Sequence, residues 1–468
     1  MTTLNTLWQQ FTLQNLLLYQ WRPSSFLYQL TGFLHQWRQG SWLLQWGEPL
    51  GALLISIVFC LAPFVGTALI GVLLIACAGW WLLLTLTDEP SQTAFTPIHL
   101  VVLLYWGIAT VATALSPVKI AAFSGWTKLT LYLILFAFMS RILRSPKVRS
   151  IFITIFLHTA LFVSVYGLRQ WFYGAKALAT WVDPTSAQSN LTRVYSYLDN
   201  PNLLAAYLLP AVGLSLAALF VWQGILPKAL ALTMIVVNSS CLVLTFSRGG
   251  WIGLVLLIFT FSVLLLYWLS ITFPPFWQQW ALPLGLIGLT IFLVLAVVFV
   301  PPIRDRVASM FVGRGDSSNN FRINVWMAVI EMIKDRPILG IGPGNVAFNK
   351  IYPLYMQPRY TALSAYSVIL EVAVETGIIG LSCFLWLLTV TFNQGWVQLK
   401  QLRALGNTQG FWLIAAISTL IGLIGHGFVD TVLYRPQVNT LWWLMIALIA
   451  SYYQPKPRIL VDEVWRNQ

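Results

Sequence analysis

The sequence has 468 residues, of which 58% are hydrophobic and only 9% charged, whereas roughly a quarter of a soluble globular chain is charged. This excludes a soluble enzyme with a polar surface of its own. The net charge of +13 does not point to nucleic acid, because the basic residues lie between apolar runs, where they set topology and meet anionic membrane lipid.

In chain order, residues 1–48 are too polar for a cleaved signal peptide, so no removal is expected. Trp8, Trp21, Trp37, Trp42 and Trp46 alternate there with leucines and with Arg22 and Arg38, a composition suited to amphipathic helices in a membrane interface. Apolar stretches follow near 50–66, 67–87, 98–115, 126–143, 149–172, 202–222, 228–246, 251–273, 280–300, 367–392, 411–433 and 438–453. Their lengths lie around the roughly 20 residues that a bilayer span takes. The expected fold is an all-α polytopic membrane protein of about 12 transmembrane helices. Its parts are an interfacial segment 1–48, helices over 49–300, one large polar loop 301–366, helices over 367–453 and a tail 454–468.

Lysine and arginine in the short connections set the orientation. With both termini cytoplasmic, Arg22, Arg38, Arg141, Arg144, Lys147, Arg149, Lys228, Lys400, Arg403, Lys456, Arg458 and Arg466 stay inside. Only Lys119, Lys128, Arg248 and Arg435 then occupy short external connections. The loop 301–366 is therefore expected on the extracytoplasmic side of the plasma (inner) membrane. No internal repeat is visible, which disfavours the repeat-built transporter architectures. Cys60, Cys77, Cys241 and Cys383 sit inside apolar runs without metal-ligand spacing, so neither a metal nor another cofactor is expected.

The large loop holds Arg304, Asp305, Arg306, Arg314 and Asp316, then Ser317-Ser318-Asn319-Asn320. Ile323, Trp326, Ile330 and Ile333 recur at helical spacing, the Ser/Asn run supplies an N-cap, and Pro337 follows the end. This predicts an amphipathic helix with Arg322 in its first turn. A guanidinium beside free N–H groups suits a phosphate or carboxylate, although a solvated helix face explains an arginine equally well. Gly340-Ile341-Gly342-Pro343-Gly344-Asn345 predicts a tight turn able to approach a ligand closely. It lacks the Lys-Ser/Thr ending of a nucleotide loop, so ATP use is not indicated. Tyr352, Tyr355, Arg359 and Tyr360 suit sugar rings, lipid headgroups or interface anchoring.

Ser247-Arg248-Gly249-Gly250 is a tight connection that places Arg248 near the external surface, as an anion site or an orientation signal. Ionisable groups inside spans are few: Glu371, Glu375, His426, Asp430 and His158. Glu371 and Glu375 share one helix face, as do His426 and Asp430. Each pair reads either as a proton or ion site or as a hydrogen-bonded clasp between helices.

Several of these stretches together resemble one superfamily. They are Arg193-Val194-Tyr195-Ser196-Tyr197, Asn200-Pro201-Asn202-Leu203-Leu204-Ala205, Ser247 to Trp251, Phe321 to Trp326, Gly340 to Asn345, Glu375-Thr376-Gly377-Ile378-Ile379-Gly380 and Gly425-His426-Gly427. In order and position they are similar to the O-antigen ligase and polymerase superfamily over roughly residues 190–435. Over almost the whole chain the sequence is similar to the cyanobacterial family described as inorganic-carbon (bicarbonate) transporter B, with Ser317 to Trp326 and Thr361 to Tyr366 carrying that closer match.

The superfamily resemblance implies transfer of a glycan from an undecaprenyl-diphosphate carrier to an acceptor outside the membrane. It matches Arg248 and Arg322 to the diphosphate-binding arginines. It also implies a histidine base, and Tyr366 stands at that position. A phenol, with an ordinary pKa of about 10, is a poor base at neutral pH where histidine near 6.5 is suited. Tyr366, Glu371 and Glu375 are thus the candidate catalytic residues. Three readings stay open: a carboxylate replaces the base, the site binds without turnover, or the scaffold serves another end. Two functions compete: a ligase- or polymerase-like protein holding a lipid-linked saccharide diphosphate, and bicarbonate uptake, direct or within an assembly. A purely structural scaffold ranks behind both.

Overall fold

The computed structural model describes residues 2–14, 16, 34–88, 95–175 and 193–454. Trp21, Arg22, Lys456, Arg458 and Arg466, named above, lie outside the described residues. Short helices come first: α1 (Thr2–Phe11), α2 (Leu34–Gly40) and α3 (Trp42–Gln45). Longer elements follow: α4 (Gly47–Leu61), α5 (Thr67–Leu86), α6 (Pro97–Ala114), α7 (Lys119–Ile142), α8 (Pro146–Tyr173), α9 (Pro201–Val221), α10 (Ile225–Leu244), α11 (Arg248–Leu269) and α12 (Pro275–Phe299). The large loop contains α13 (Pro301–Phe311), α14 (Ser317–Asp335) and α15 (Asn345–Ile351), and the chain closes with α16 (Val368–Ala404), α17 (Gly410–Gly427) and α18 (Pro436–Ser451).

Each predicted apolar stretch therefore falls on a helix. Among the described residues, nine helices are long and apolar enough to cross a membrane, while α4 is apolar but shorter. The chain is an all-α multi-pass membrane protein.

Helix starts are written in the sequence. Asn200 caps α9 by accepting from Asn202 N and Leu203 N, with Pro201 in the first helical position. Ser145 caps α8 ahead of Pro146 in the same way. Both use proline where its missing N–H costs no helical bond. Helices α9 and α17 are apolar all round, with 78% and 89% of their spanning stretches buried, as expected for the centre of a bundle. The outer helices turn Val72, Ile75, Leu103, Ile151, Phe162 and Val236 outward, the face a bilayer covers.

Two differences from the sequence reading fall on one helix. Helix α16 continues past 392 to Ala404, with Gln394 and Gln398 buried in the bundle although polar. It is also broken at Gly377, whose φ of 66° is non-helical. The segment 337–344 crosses this break and completes its backbone bonding. Ile341 N donates to Val374 O and Gly342 N to Glu375 O, both at 2.9 Å, while Ile378 N donates to Pro337 O at 2.8 Å. A side chain at Gly377 would collide with the Ile338 carbonyl. The close approach permitted by the Gly340–Gly344 run is therefore to the backbone of α16.

At the end of the bundle away from the large loop, Asp88 is 1% exposed and held by two arginines. Arg141 grips both its oxygens, at 2.7 and 2.8 Å, and Arg38 bonds one at 2.7 Å. Arg141 also donates to Glu48 at 2.6 Å. A buried carboxylate survives only with such partners, and these tie α2 to the bundle.

Candidate functional site

The opposite end gathers four arginines from distant parts of the chain. Arg248 opens α11, which Ser247 caps through a hydrogen bond from Gly250 N at 3.2 Å. Its guanidinium donates to Asp316 Oδ1 at 2.8 Å and to the Ser309 carbonyl at 3.1 Å. Asp316 also caps α14, accepting from Asn319 N at 2.9 Å. The cap is thus Asp316 rather than the Ser/Asn run, and Arg322 lies in the second turn rather than the first; Ser, Asn and Asp cap about equally well, and the pairing of Asp316 with Arg248 fixes the choice.

From that second turn Arg322 donates to Val429 O at 2.8 Å and to Ser318 Oγ at 2.6 Å, with Asp430 Oδ2 3.9 Å away. Asp430 accepts from Asn202 Nδ2 at 2.6 Å and from Thr431 N at 2.8 Å. Asn202 in turn accepts from Arg193 at 3.0 Å. Arg193 Nε donates to Thr245 O at 2.9 Å, and Arg306 Nε to Phe246 O at 3.0 Å. The carbonyls of one turn, between α10 and α11, thus dock both of these arginines beside Arg248.

The cluster is electrostatically unbalanced. Burial, then repulsion from Arg193 and Arg248, pushes Arg306 down to about 9 against the opposing pull of Asp316. Burial, then Arg322 and Arg248, pushes Arg193 down to about 10. Arg322 is lowered by burial, with Asp430 opposing and Arg248 adding to the shift. Asp316 runs the other way: burial alone would raise it, but the bonds from Arg248 and Asn319 N hold it below the ordinary carboxylate value. Among the described residues, four guanidinium groups face two aspartates, an excess of two positive charges in a poorly solvated place. Such an excess attracts anions.

The structure brings Tyr366 to this cluster and keeps Glu375 away from it. Tyr366, at φ 51°, sets its ring edge-on to Phe321 at 5.3 Å, and its carbonyl accepts from Trp326 Nε1 at 3.3 Å. Burial, then the charge of Asp430, drives the phenol's pKa upward, so it stays protonated and is no base at neutral pH. Glu371 accepts from Ala365 N at 2.6 Å and from Thr431 Oγ1 at 3.4 Å, which braces the turn that carries Tyr366. Glu375 accepts from Gly344 N at 2.6 Å and secures the segment crossing the helix break. Tyr360 accepts from Asn320 through its hydroxyl at 3.0 Å, and its carbonyl from Tyr352 at 2.6 Å, so these tyrosines pack the loop.

Residues 229–385 match the family model described as O-antigen ligase. Over that stretch the chain is O-antigen ligase-like. The match takes in Arg248, Arg306, Asp316, Arg322, Tyr366 and both glutamates, while Arg193, Asn202 and Asp430 join the cluster from outside it. No curated protein matches the chain.

The sequence alone assigns no role to Arg193, Arg306, Asp316 or Asn202. Arg193 and Asn202 flank one proline-initiated helix start within the quoted motifs, and that proximity is the signal available for them. Arg306 carries none, since its partner Phe246 is sixty residues away.

Proposed function

We propose that this O-antigen ligase-like protein binds a lipid-diphosphate-linked saccharide of the undecaprenyl type on the extracytoplasmic side of the membrane, with its diphosphate among Arg193, Arg248, Arg306 and Arg322. The observation that carries this reading is the excess of two positive charges where four arginines meet only two aspartates. A diphosphate diester offers two negative charges and several oxygens that suit the forked donors of guanidinium groups. A bicarbonate ion brings one charge and leaves half the excess unmet.

Binding is better supported than glycan transfer. Transfer requires a group to take the acceptor hydroxyl's proton as the bond from the anomeric carbon to the phosphate oxygen breaks. Tyr366 is unsuited, Glu371 is engaged by Ala365 N and Thr431, and Asp430 is the carboxylate turned towards Arg322.

The test is a deletion strain complemented with wild type, Arg248→Ala or Arg322→Ala, scored for surface glycans and for labelled bicarbonate uptake. The expected result is a glycan change restored only by wild type. Unaltered glycans in the deletion strain would overturn the proposal.

A further inference from the structure

His426 stands in the last turn of α17 with 0% exposure, and neither Nδ1 nor Nε2 has a hydrogen-bond partner among the described residues. A neutral imidazole has one N–H to give and one lone pair to fill, and buried polar atoms are ordinarily paired. The expected clasp with Asp430 does not form, since Asn202 Nδ2 and Thr431 N take that carboxylate's oxygens.

The ring instead lies across the first turn of α11. A Cβ at Gly249 would collide with His426 Cδ2 and stand 3.0 Å from Nε2, so glycine is what lets the ring reach the helix start. Val429 Cγ2 lies 3.1 Å from the same point, and the Val429 carbonyl holds Arg322. The amides of Arg248 and Gly249, in the first turn of a 22-residue helix, have no intrahelical acceptor and carry the positive end of its dipole. Helix start, unpaired imidazole and two arginines therefore meet at one place, with the imidazole deepest.

We propose that His426 is a ligand-binding residue of the arginine site, donating its ring N–H to a phosphoryl oxygen seated on the first turn of α11. This rests on the reading of the site as a diphosphate site and adds which group reaches the inner phosphate. A ring kept only for packing would be better served by phenylalanine, which fills similar space and leaves no nitrogen unpaired.

The experiment uses full-length protein in detergent, with geranylgeranyl diphosphate as probe and inorganic diphosphate as the lipid-free control. His426→Phe should melt at the same temperature as wild type or higher without probe, yet bind geranylgeranyl diphosphate about tenfold or more weakly. His426→Gln, which keeps an N–H donor, should bind within about threefold of wild type. Wild-type affinity in His426→Phe would overturn the proposal. So would a fall of several degrees in its melting temperature without probe, which would mean that the ring holds a structural partner. Probe binding lost in Arg322→Ala but kept in His426→Phe removes only the role of His426. A wild type that binds no probe removes the diphosphate site itself.

Discussion

Asp316 does two jobs that a pair of substitutions separates. It caps α14 through Asn319 N and pairs with Arg248 at 2.8 Å, with side-chain exposures of 14% and 7% for aspartate and arginine. Asparagine is a cap acceptor of nearly equal quality, so Asp316→Asn removes only the charge. This mostly buried but not sealed setting puts the lost pair between exposed and fully buried cases, about 1–3 kcal/mol of stability. Asp316→Ala should cost about 1 kcal/mol more through the cap. Binding should move in the opposite direction. A carboxylate roughly 8 Å from a bound anion, at an effective dielectric constant near 20, repels it by about 2 kcal/mol. Asp316→Asn should thus tighten geranylgeranyl diphosphate binding by about thirtyfold while lowering the melting temperature, both measured on purified protein. Weaker or unchanged binding would refute the charge balance inferred for the site. The acid limb follows from the same geometry. The folded pKa of Asp316 is depressed, so its contribution is complete above the ordinary carboxylate range and is lost as pH falls through the depressed value. Asp316→Asn should lack that part of the acid destabilisation.

Tyr366 stands where a histidine base is expected by resemblance, beside Arg322 and Asp430. Tyr366→His should raise glycan transfer to an added acceptor, by up to about a hundredfold for a positioned base, whereas Tyr366→Phe should leave any basal transfer within a few-fold; transfer abolished by Tyr366→Phe would show the phenol to be essential. At the other end of the bundle, Asp88→Asn leaves Arg141 and Arg38 with Glu48 as their remaining carboxylate. It should destabilise the fold by about 1–3 kcal/mol, read as a lower thermal midpoint with probe affinity unchanged.

The fold is legible in the sequence because apolar stretches of spanning length leave few alternatives, and helix starts such as Asn200-Pro201 and Ser145-Pro146 mark themselves. The site is legible only in part. Arg248 and Arg322 lie in motifs that can be read as anion-binding. Their surroundings cannot be, because the carbonyls holding Arg193 and Arg306 belong to Thr245 and Phe246, 52 and 60 residues away, and Asn202 meets Asp430 across 228. Local periodicity carries no information about such pairings. It also misplaces the start of α14, since a Ser/Asn run and a preceding aspartate are all good caps and only the fold chooses among them. The helical spacing of Glu371 and Glu375 puts both on α16, but their separate tasks depend on two different loop turns.

The segment crossing the break in α16 divides the large loop into halves with unequal freedom. Lifting residues 337–344 away would strip Val374 and Glu375 of their backbone donors in a water-poor place, so this half opens only when the spanning helix itself opens. In hydrogen exchange the amides of Ile341, Gly342 and Gly344 should therefore keep pace with α16 rather than with the loop around them. On the lipid-diphosphate reading proposed above, any movement that admits a head group would fall to the first half, where Ser309 of α13 accepts from Arg248. The glycine-rich segment is then the fixed side of the site, held to the backbone of α16.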